Sequence, residues 1–267
     1  MSAVLKEEDL IKNGRRLDGR GFEDLRPLSV KAGVLKQAVG SALVEWGRNK
    51  VFAAVYGPHE VFPKHLTDNR KALINARYIM APFSGLEDHS RSGPNRRSIE
   101  ISKVSKHVFE NVVLTHLFPK TMIDVYMEVM QSDGGTRIAS ITAASVALAD
   151  AGIPMRDLVC GVSVGKVAGH IVLDPDKYED NLGSSDVPMI FAPRNGELLL
   201  YQMDGMLSKD EISRAVDMAL HGCKKIRVLQ EEALKEKYVE VFEKIGSDGN
   251  GNGGAEHGAA GESAGGF

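Results

Sequence analysis

Cysteine is scarce in this chain, tryptophan occurs once, and no apolar stretch is long. The two cysteines, Cys160 and Cys223, lie far apart in apolar surroundings. They supply no disulfide framework of the kind that staples small secreted domains, so they read as reduced core residues. The eight histidines are scattered, with no His-Glu-x-x-His pattern, which leaves no zinc motif. No apolar run approaches the roughly 18 residues of a membrane span. The opening MSAVLKEEDLIKNGRR mixes acids and bases without an apolar centre, so it is not read as a signal peptide. The expectation is a cytoplasmic protein with no membrane partner. A large excess of one charge is missing too. Lysine and arginine total 33 against 36 acids, a formal net charge of −3. That balance excludes binding of nucleic acid through an overall basic surface. With 43% hydrophobic and 26% charged residues, the chain is neither collagen-like nor wholly disordered.

The charge that is present is unevenly placed. Residues 246–267 contain Asp248, Glu256 and Glu262 and no lysine or arginine. The surplus of acids therefore lies in that segment, and the rest of the chain is formally neutral. Gly, Asn, Ala and Ser dominate it, so 246–267 reads as a disordered Gly-rich acidic tail. Its GNGNGG run has no strand before it and no helix after it, which removes it as a nucleotide loop. No Pro/Gly/Ser-rich linker interrupts Leu28 to Ile245. One domain over 1–245 is expected, with a short N-terminal extension at 1–14.

Alternation and turn residues predict strands in LSVKAGVL, SALVEWG and NKVFAAVYG, a meander with a tight turn at Gly47-Arg48-Asn49. NARYIMAPF is a further strand candidate. Ile101, Val104, Val108 and Val112 have helical spacing, which predicts a helix through SIEISKVSKHVFENVVLTHLF ending at Pro119. From Met122 to Gln131, Ile123, Val125, Met127 and Val129 alternate with Asp124, Tyr126 and Glu128, a half-buried strand. Gly134-Gly135 follows, then TRIASITAASVALADAG. This is a helix of small residues with Thr136 as candidate N-cap and a stop at Gly152. Small side chains predict close packing on a sheet. LVCGVSVGKV, HIVLD, VPMIFAP and ELLLYQM read as strands, the last two joined by a hairpin at Arg194-Asn195-Gly196. Ser208 and Glu211 form a capping box that opens a long helix to about Lys244. The fold class is α+β, with mixed sheets packed against helices.

Three constellations carry chemistry. The first is Asp133-Gly134-Gly135-Thr136-Arg137 between a strand and a helix. Open N–H groups at a helix start, glycines beside them, the Thr136 hydroxyl and the Arg137 fork suit a phosphate, with Ser140 one turn on. A plain strand-to-helix turn with a solvated arginine has the same sequence. The second is LDPDKYEDNLGSSDVP, where Asp180 and Asp186 bracket a Gly-Ser-Ser turn. An EF-hand from Asp174 would need Gly and Glu where Glu179 and Ser185 stand, so that mode is rejected. Two converging carboxylates suit a divalent ion or a general acid, and the alternative is a solvated acidic loop. The third is the basic run HSRSGPNRRSIEISKVSK, with Arg91, Arg96 and Arg97. Arginines at a helix start oppose the macrodipole, which is easier to understand if they face phosphates. Lys64-His65 is a second basic point. A solvated loop is the alternative for both.

These residues stand in a recognisable order. GRRLDGRGFEDLRPLSVKAGVLKQAVGSALVEWGRNKVFAAVYGP, NRRSIEISKV, QSDGGTRIASITAASVALADAGIPMRDLV and YEDNLGSSDVP resemble the RNase PH family, within it most of all the catalytic subunits of archaeal exosomes. The likeness spans about Arg15 to Lys237 without large gaps. Asp18-Gly19-Arg20 matches the family's start, and the residues ahead of it favour the exosome type over bacterial RNase PH.

The resemblance implies an RNase PH-like fold of the ribosomal protein S5 domain 2-like type. It implies a hexameric ring in which catalytic subunits alternate with inactive homologous subunits, topped by RNA-binding cap subunits. The implied reaction is phosphorolysis of an RNA 3′ end, with inorganic phosphate as co-substrate and nucleoside diphosphates as products. In reverse it adds 3′ tails. Carried over by position, Gly135, Thr136, Arg137 and Ser140 bind phosphate. Asp180 and Asp186 are catalytic or hold Mg²⁺ or Mn²⁺. Arg96 and Arg97 grip RNA, and Lys64 and His65 stand where the family often has an Arg-His pair. Lys64 cannot make a bidentate contact. Alternatives are a stand-alone RNase PH trimming tRNA 3′ ends and a non-catalytic RNA-binding ring subunit. A small-molecule kinase would need a longer Gly-rich ATP loop than Gly183-Ser184-Ser185.

Overall fold

Two five-stranded sheets enclose one central helix. The computed structural model describes residues 6–85 and 95–249. Arg91 and most of the expected tail, 250–267, lie outside the described residues. The first sheet holds β3 (Leu28–Ala32), β4 (Gly40–Trp46), β5 (Asn49–Glu60), β6 (Leu73–Met80) and β7 (Thr121–Gln131). Its order is β3-β4-β5-β7-β6, antiparallel except for the parallel pair β6–β7. The crossover between β6 and β7 is α1 (Arg96–Val112). A two-stranded ribbon, β1 (Ile11–Lys12) with β2 (Arg15–Arg16), precedes the sheet. The second sheet holds β8 (Cys160–Val167), β9 (His170–Leu173), β10 (Ser185–Ala192), β11 (Glu197–Tyr201) and β12 (Asp204–Gly205). Its order is β11-β10-β8-β9, and β12 also pairs with β10.

α2 (Thr136–Asp150) is buried along nearly its whole length and packs on β4, β5 and β7 on one side and on β8 on the other. Its small residues make this approach possible. A Cβ on Gly40 would lie 2.3 Å from the Ala147 carbonyl oxygen, so β4 and α2 meet backbone to backbone there. α4 (Lys209–Gly249) covers β8, β3 and β9. The α+β class with mixed sheets packed with helices stands as expected.

Four boundaries differ from expectation. α1 stops at Val112 rather than near Pro119, because Val113 turns extended and bridges to Met155. Thr136 is the first helical residue of α2, and the N-cap is Gly135 in a left-handed conformation. The acidic stretch contains a short helix, α3 (Lys177–Leu182), capped by Asp176 and Glu179 in a reciprocal box. α4 continues past Lys244 to Gly249. The capping box at its start is present: the Ser208 N–H donates to Glu211 Oε2 at 2.8 Å.

Candidate active site

β7 ends in a turn that only glycine satisfies. Gly134 and Gly135 have φ of +74° and +68°, and a Cβ on Gly134 would meet the Asp176 and Lys177 backbone at 2.8 Å. Arg26 Nη1 donates to the Asp133 carbonyl. Asn49 Nδ2 donates to the Gly134 carbonyl at 2.6 Å. The turn delivers the start of α2, where no side chain caps the helix and the first N–H groups stay open. Thr136 and Arg137 sit there. Arg137 Nη1 donates to Gln202 Oε1, and Gln202 Nε2 donates to Glu100 Oε1 at 3.2 Å. α1 brings Arg97, whose Nη2 donates to Thr136 Oγ1 at 3.3 Å.

The opposite wall comes from the second sheet. α3 presents Asp180 and β10 presents Asp186, and the charge of Asp180 acts on Asp186. Ser163 Oγ on β8 donates to Asp186 Oδ1 at 2.7 Å. Asp204 on β12 is the strand partner of Asp186. Burial, and then the Asp180 charge, push Asp186 up to about 6. Burial also raises Asp180, opposed by the charges of Arg97 and Arg137. Such a pair retains a proton where ordinary carboxylates have lost it. These walls enclose a cleft of about 560 Å³ lined by Arg97, Glu100, Thr136, Arg137, Ser163, Asp180, Asp186, Gln202 and Asp204.

A buried ion network ties the two walls together. Asp174 accepts from Arg26 Nη2 at 2.6 Å and from Trp46 Nε1 at 2.9 Å. Arg16 pairs with Glu179, the neighbour of Asp180. Arg20 donates to the Asp174 carbonyl at 3.0 Å. The Asp18-Gly19-Arg20 segment thus contributes scaffolding, with Arg20 lying between Asp174 and Glu179 of α3.

The structure brings Gly135, Thr136, Arg137, Arg97, Asp180 and Asp186 to one cleft. Ser140 is not on its wall. It is fully buried and donates to the Thr136 carbonyl at 2.8 Å, so it holds the first turn of α2 and cannot reach an anion directly. Arg96 is exposed at the start of α1, away from the cleft lining. Lys64 and His65 are also remote from it, on an exposed turn where Lys64 Nζ lies 3.0 Å from Glu60. Glu100, Ser163, Gln202 and Asp204 were not legible as site residues. Strand pairing brings the last three in, and no short-range spacing marks it.

Among the described residues no three His, Cys, Asp or Glu side chains converge to hold a metal. The Asp180–Asp186 pair fits Mg²⁺ or Mn²⁺ when substrate oxygens complete the shell, the usual manner of Mg²⁺ binding. No helix among the described residues is long and apolar enough to cross a membrane.

An open helix start faces a carboxyl pair of raised pKa across one cleft, an anion seat beside a candidate proton source. Residues 24–154 match the 3′ exoribonuclease family, domain 1, and 157–222 match domain 2 of the same family. The chain belongs to the RNase PH family of 3′ exoribonucleases. It is 53% identical over 244 residues to the exosome complex component Rrp41 of Thermococcus onnurineus, covering 90% of this chain and 98% of that one. To the same component of Pyrococcus furiosus it is 54% identical over 245 residues, covering 91% and 98%. Rice Rrp46 matches in structure with a TM-score of 0.73 at 26% identity, covering 82% of this chain and all of that one. An Archaeoglobus fulgidus exosome with RNA bound to the active site matches in fold, with a TM-score of 0.70 at 23% identity, covering 80% and 92%.

Proposed function

We propose that this chain is the catalytic subunit of an exosome ring and shortens RNA from its 3′ end by phosphorolysis. The observation that carries the reading is the meeting of Arg137 and the open α2 start with the Asp180–Asp186 pair across one cleft. Relatives named as exosome components cover nearly the whole chain.

In this reading inorganic phosphate rests against the first turn of α2, held by Gly135, Thr136 and Arg137. Arg137 offsets its repulsion from the scissile phosphate and keeps it in line. A phosphate oxygen attacks the last phosphodiester, and the bond from phosphorus to the neighbouring 3′ oxygen breaks. The terminal nucleotide leaves as a nucleoside diphosphate. The shortened RNA's 3′ oxygen takes a proton from the carboxyl pair. A pKa near 6 suits that role close to neutrality. Arg97 reaches the cleft beside Thr136 and contacts the RNA backbone. As the alternative to that proton, Mg²⁺ or Mn²⁺ held by Asp180 and Asp186 would supply charge neutralisation at the leaving oxygen. The partners are an RNA 3′ end, homologous inactive ring subunits and RNA-binding caps, and the compartment is the cytoplasm.

The test mixes the purified chain, with and without a homologous ring subunit, with 3′-extended RNA, with and without phosphate. Nucleoside diphosphates formed in proportion to phosphate are the expected result. Monophosphates appearing without phosphate would mean hydrolysis and end the proposal.

A further inference from the structure

Tyr78 is a buried polar side chain that the chemistry above leaves unused. It lies on β6 and is 1% exposed. Its backbone N–H donates to Ser102 Oγ on α1 at 2.9 Å, which fixes the strand against the helix that carries Arg97. Among the described residues, its hydroxyl has one hydrogen-bond partner, Thr136 Oγ1, at 2.9 Å.

Donor and acceptor counting decides the direction of that bond. A hydroxyl has one proton to give and two lone pairs to receive. Arg97 Nη2, 3.3 Å from the same Thr136 oxygen, can only donate. Were Thr136 to give its proton to Tyr78, the phenolic proton would be buried without an acceptor, an arrangement native proteins avoid. Tyr78 therefore donates. Thr136 Oγ1 then receives two hydrogen bonds, and its own proton is left for something outside the protein. Thr136 lines the cleft at the open start of α2.

We propose that Tyr78 is a positioning residue for the anion site: by donating to Thr136 Oγ1 it turns the Thr136 proton into the cleft, as a donor to a phosphate oxygen. Tyr78 does not touch substrate, and it acts through Thr136. The inference rests on the phosphorolytic reading above.

The experiment measures degradation of 3′-extended RNA by the full chain, assembled as in the previous test, at varied inorganic phosphate. Tyr78→Phe removes one oxygen and keeps the ring. The KM for phosphate is expected to rise about threefold to tenfold, the loss of one oriented hydrogen bond, with the KM for RNA unchanged. In a Thr136→Val background the same change is expected to add nothing, since both act through one proton. An unchanged phosphate KM in folded Tyr78→Phe overturns the proposal, and so does an equal rise in both KM values. If Tyr78→Phe does not fold, 3-fluorotyrosine in place of Tyr78 carries the test, since it keeps the ring and makes the hydroxyl a stronger donor. The phosphate KM should change with the KM for RNA unchanged, and an unaltered phosphate KM overturns the proposal. A wild-type chain indifferent to phosphate would sink the phosphorolytic reading itself, whereas phosphate dependence with no response to Tyr78→Phe sinks the role of Tyr78 alone.

Discussion

Asp186 shows how neighbours set one carboxyl's chemistry. Burial and the Asp180 charge raise its pKa to about 6, while the Ser163 hydroxyl favours the charged form and lowers it. Ser163→Ala removes the lowering contact. If the pair protonates the leaving oxygen, kcat/KM falls as pH rises through its pKa, and in this variant that fall should move up by about half to one pH unit. A pH–rate profile that does not move would exclude Asp186 as a source of the proton. Asp180→Asn leaves a side chain of the same size that cannot supply the acid. It should abolish RNA degradation while the assembly still elutes at the wild-type volume. Full phosphate-dependent activity in that variant would refute the assignment. Residue types and their order marked both aspartates in the sequence, but nothing local marked Ser163 or Gln202.

At the scale of elements, the site depends on how the glycine turn and α3 are held. Arg26 joins them through Asp174, whose own pKa reflects the balance. Burial alone would raise it, and the Arg26 guanidinium overrides burial and lowers it. A carboxylate with a depressed folded pKa adds stability that is present above its unfolded value of 3.8 and lost as pH falls through the folded one. Arg26→Ala leaves the buried Asp174 carboxylate with the Trp46 N–H and with Arg20 at 3.6 Å, but without its closest guanidinium. Denaturant titration at pH 7 should show a loss of about 3 kcal/mol, shrinking as pH drops below 4. β4 and α2 give a second case. Gly40→Ala forces a methyl group against the Ala147 carbonyl and should cost about 1–3 kcal/mol in the same titration. Sequence periodicity found β4, β5, β7 and α2. It missed α3, because a six-residue helix inside an acidic stretch has too few turns to show a period. It overran α1, because the β-bridge from Val113 to Met155 is long-range.

At the scale of the molecule, α2 is the shared core. Its two sides are covered by different sheets, so neither half of the chain buries its apolar surface alone. Unfolding should follow one cooperative transition, with near- and far-ultraviolet circular dichroism coinciding. Two separated transitions would mean that the halves are independent. The net charge of −3 is also resolved at this scale. Arg97 and Arg137 face Asp180, Asp186 and Asp204 across one cleft. On the proposed reading, the Arg97–Arg137 side of the cleft lets a chain of near-neutral total charge hold an anion locally.

The sequence by itself determined the local chemistry: the glycine turn, the open helix start behind it, the aspartate pair, and an order of motifs that marks the family. These depend on neighbours within a few residues, where steric and hydrogen-bonding rules act directly. Tertiary structure alone decided which candidates share the cleft. It removed Ser140 by burial and left Lys64 and His65 on a remote turn. It brought in Gln202 and Asp204 by pairing β12 with β10, and it placed the hydroxyl of Tyr78 against Thr136 across 58 residues of chain. Contacts made by sheet register and helix packing leave no spacing in the sequence, because they depend on where the chain returns.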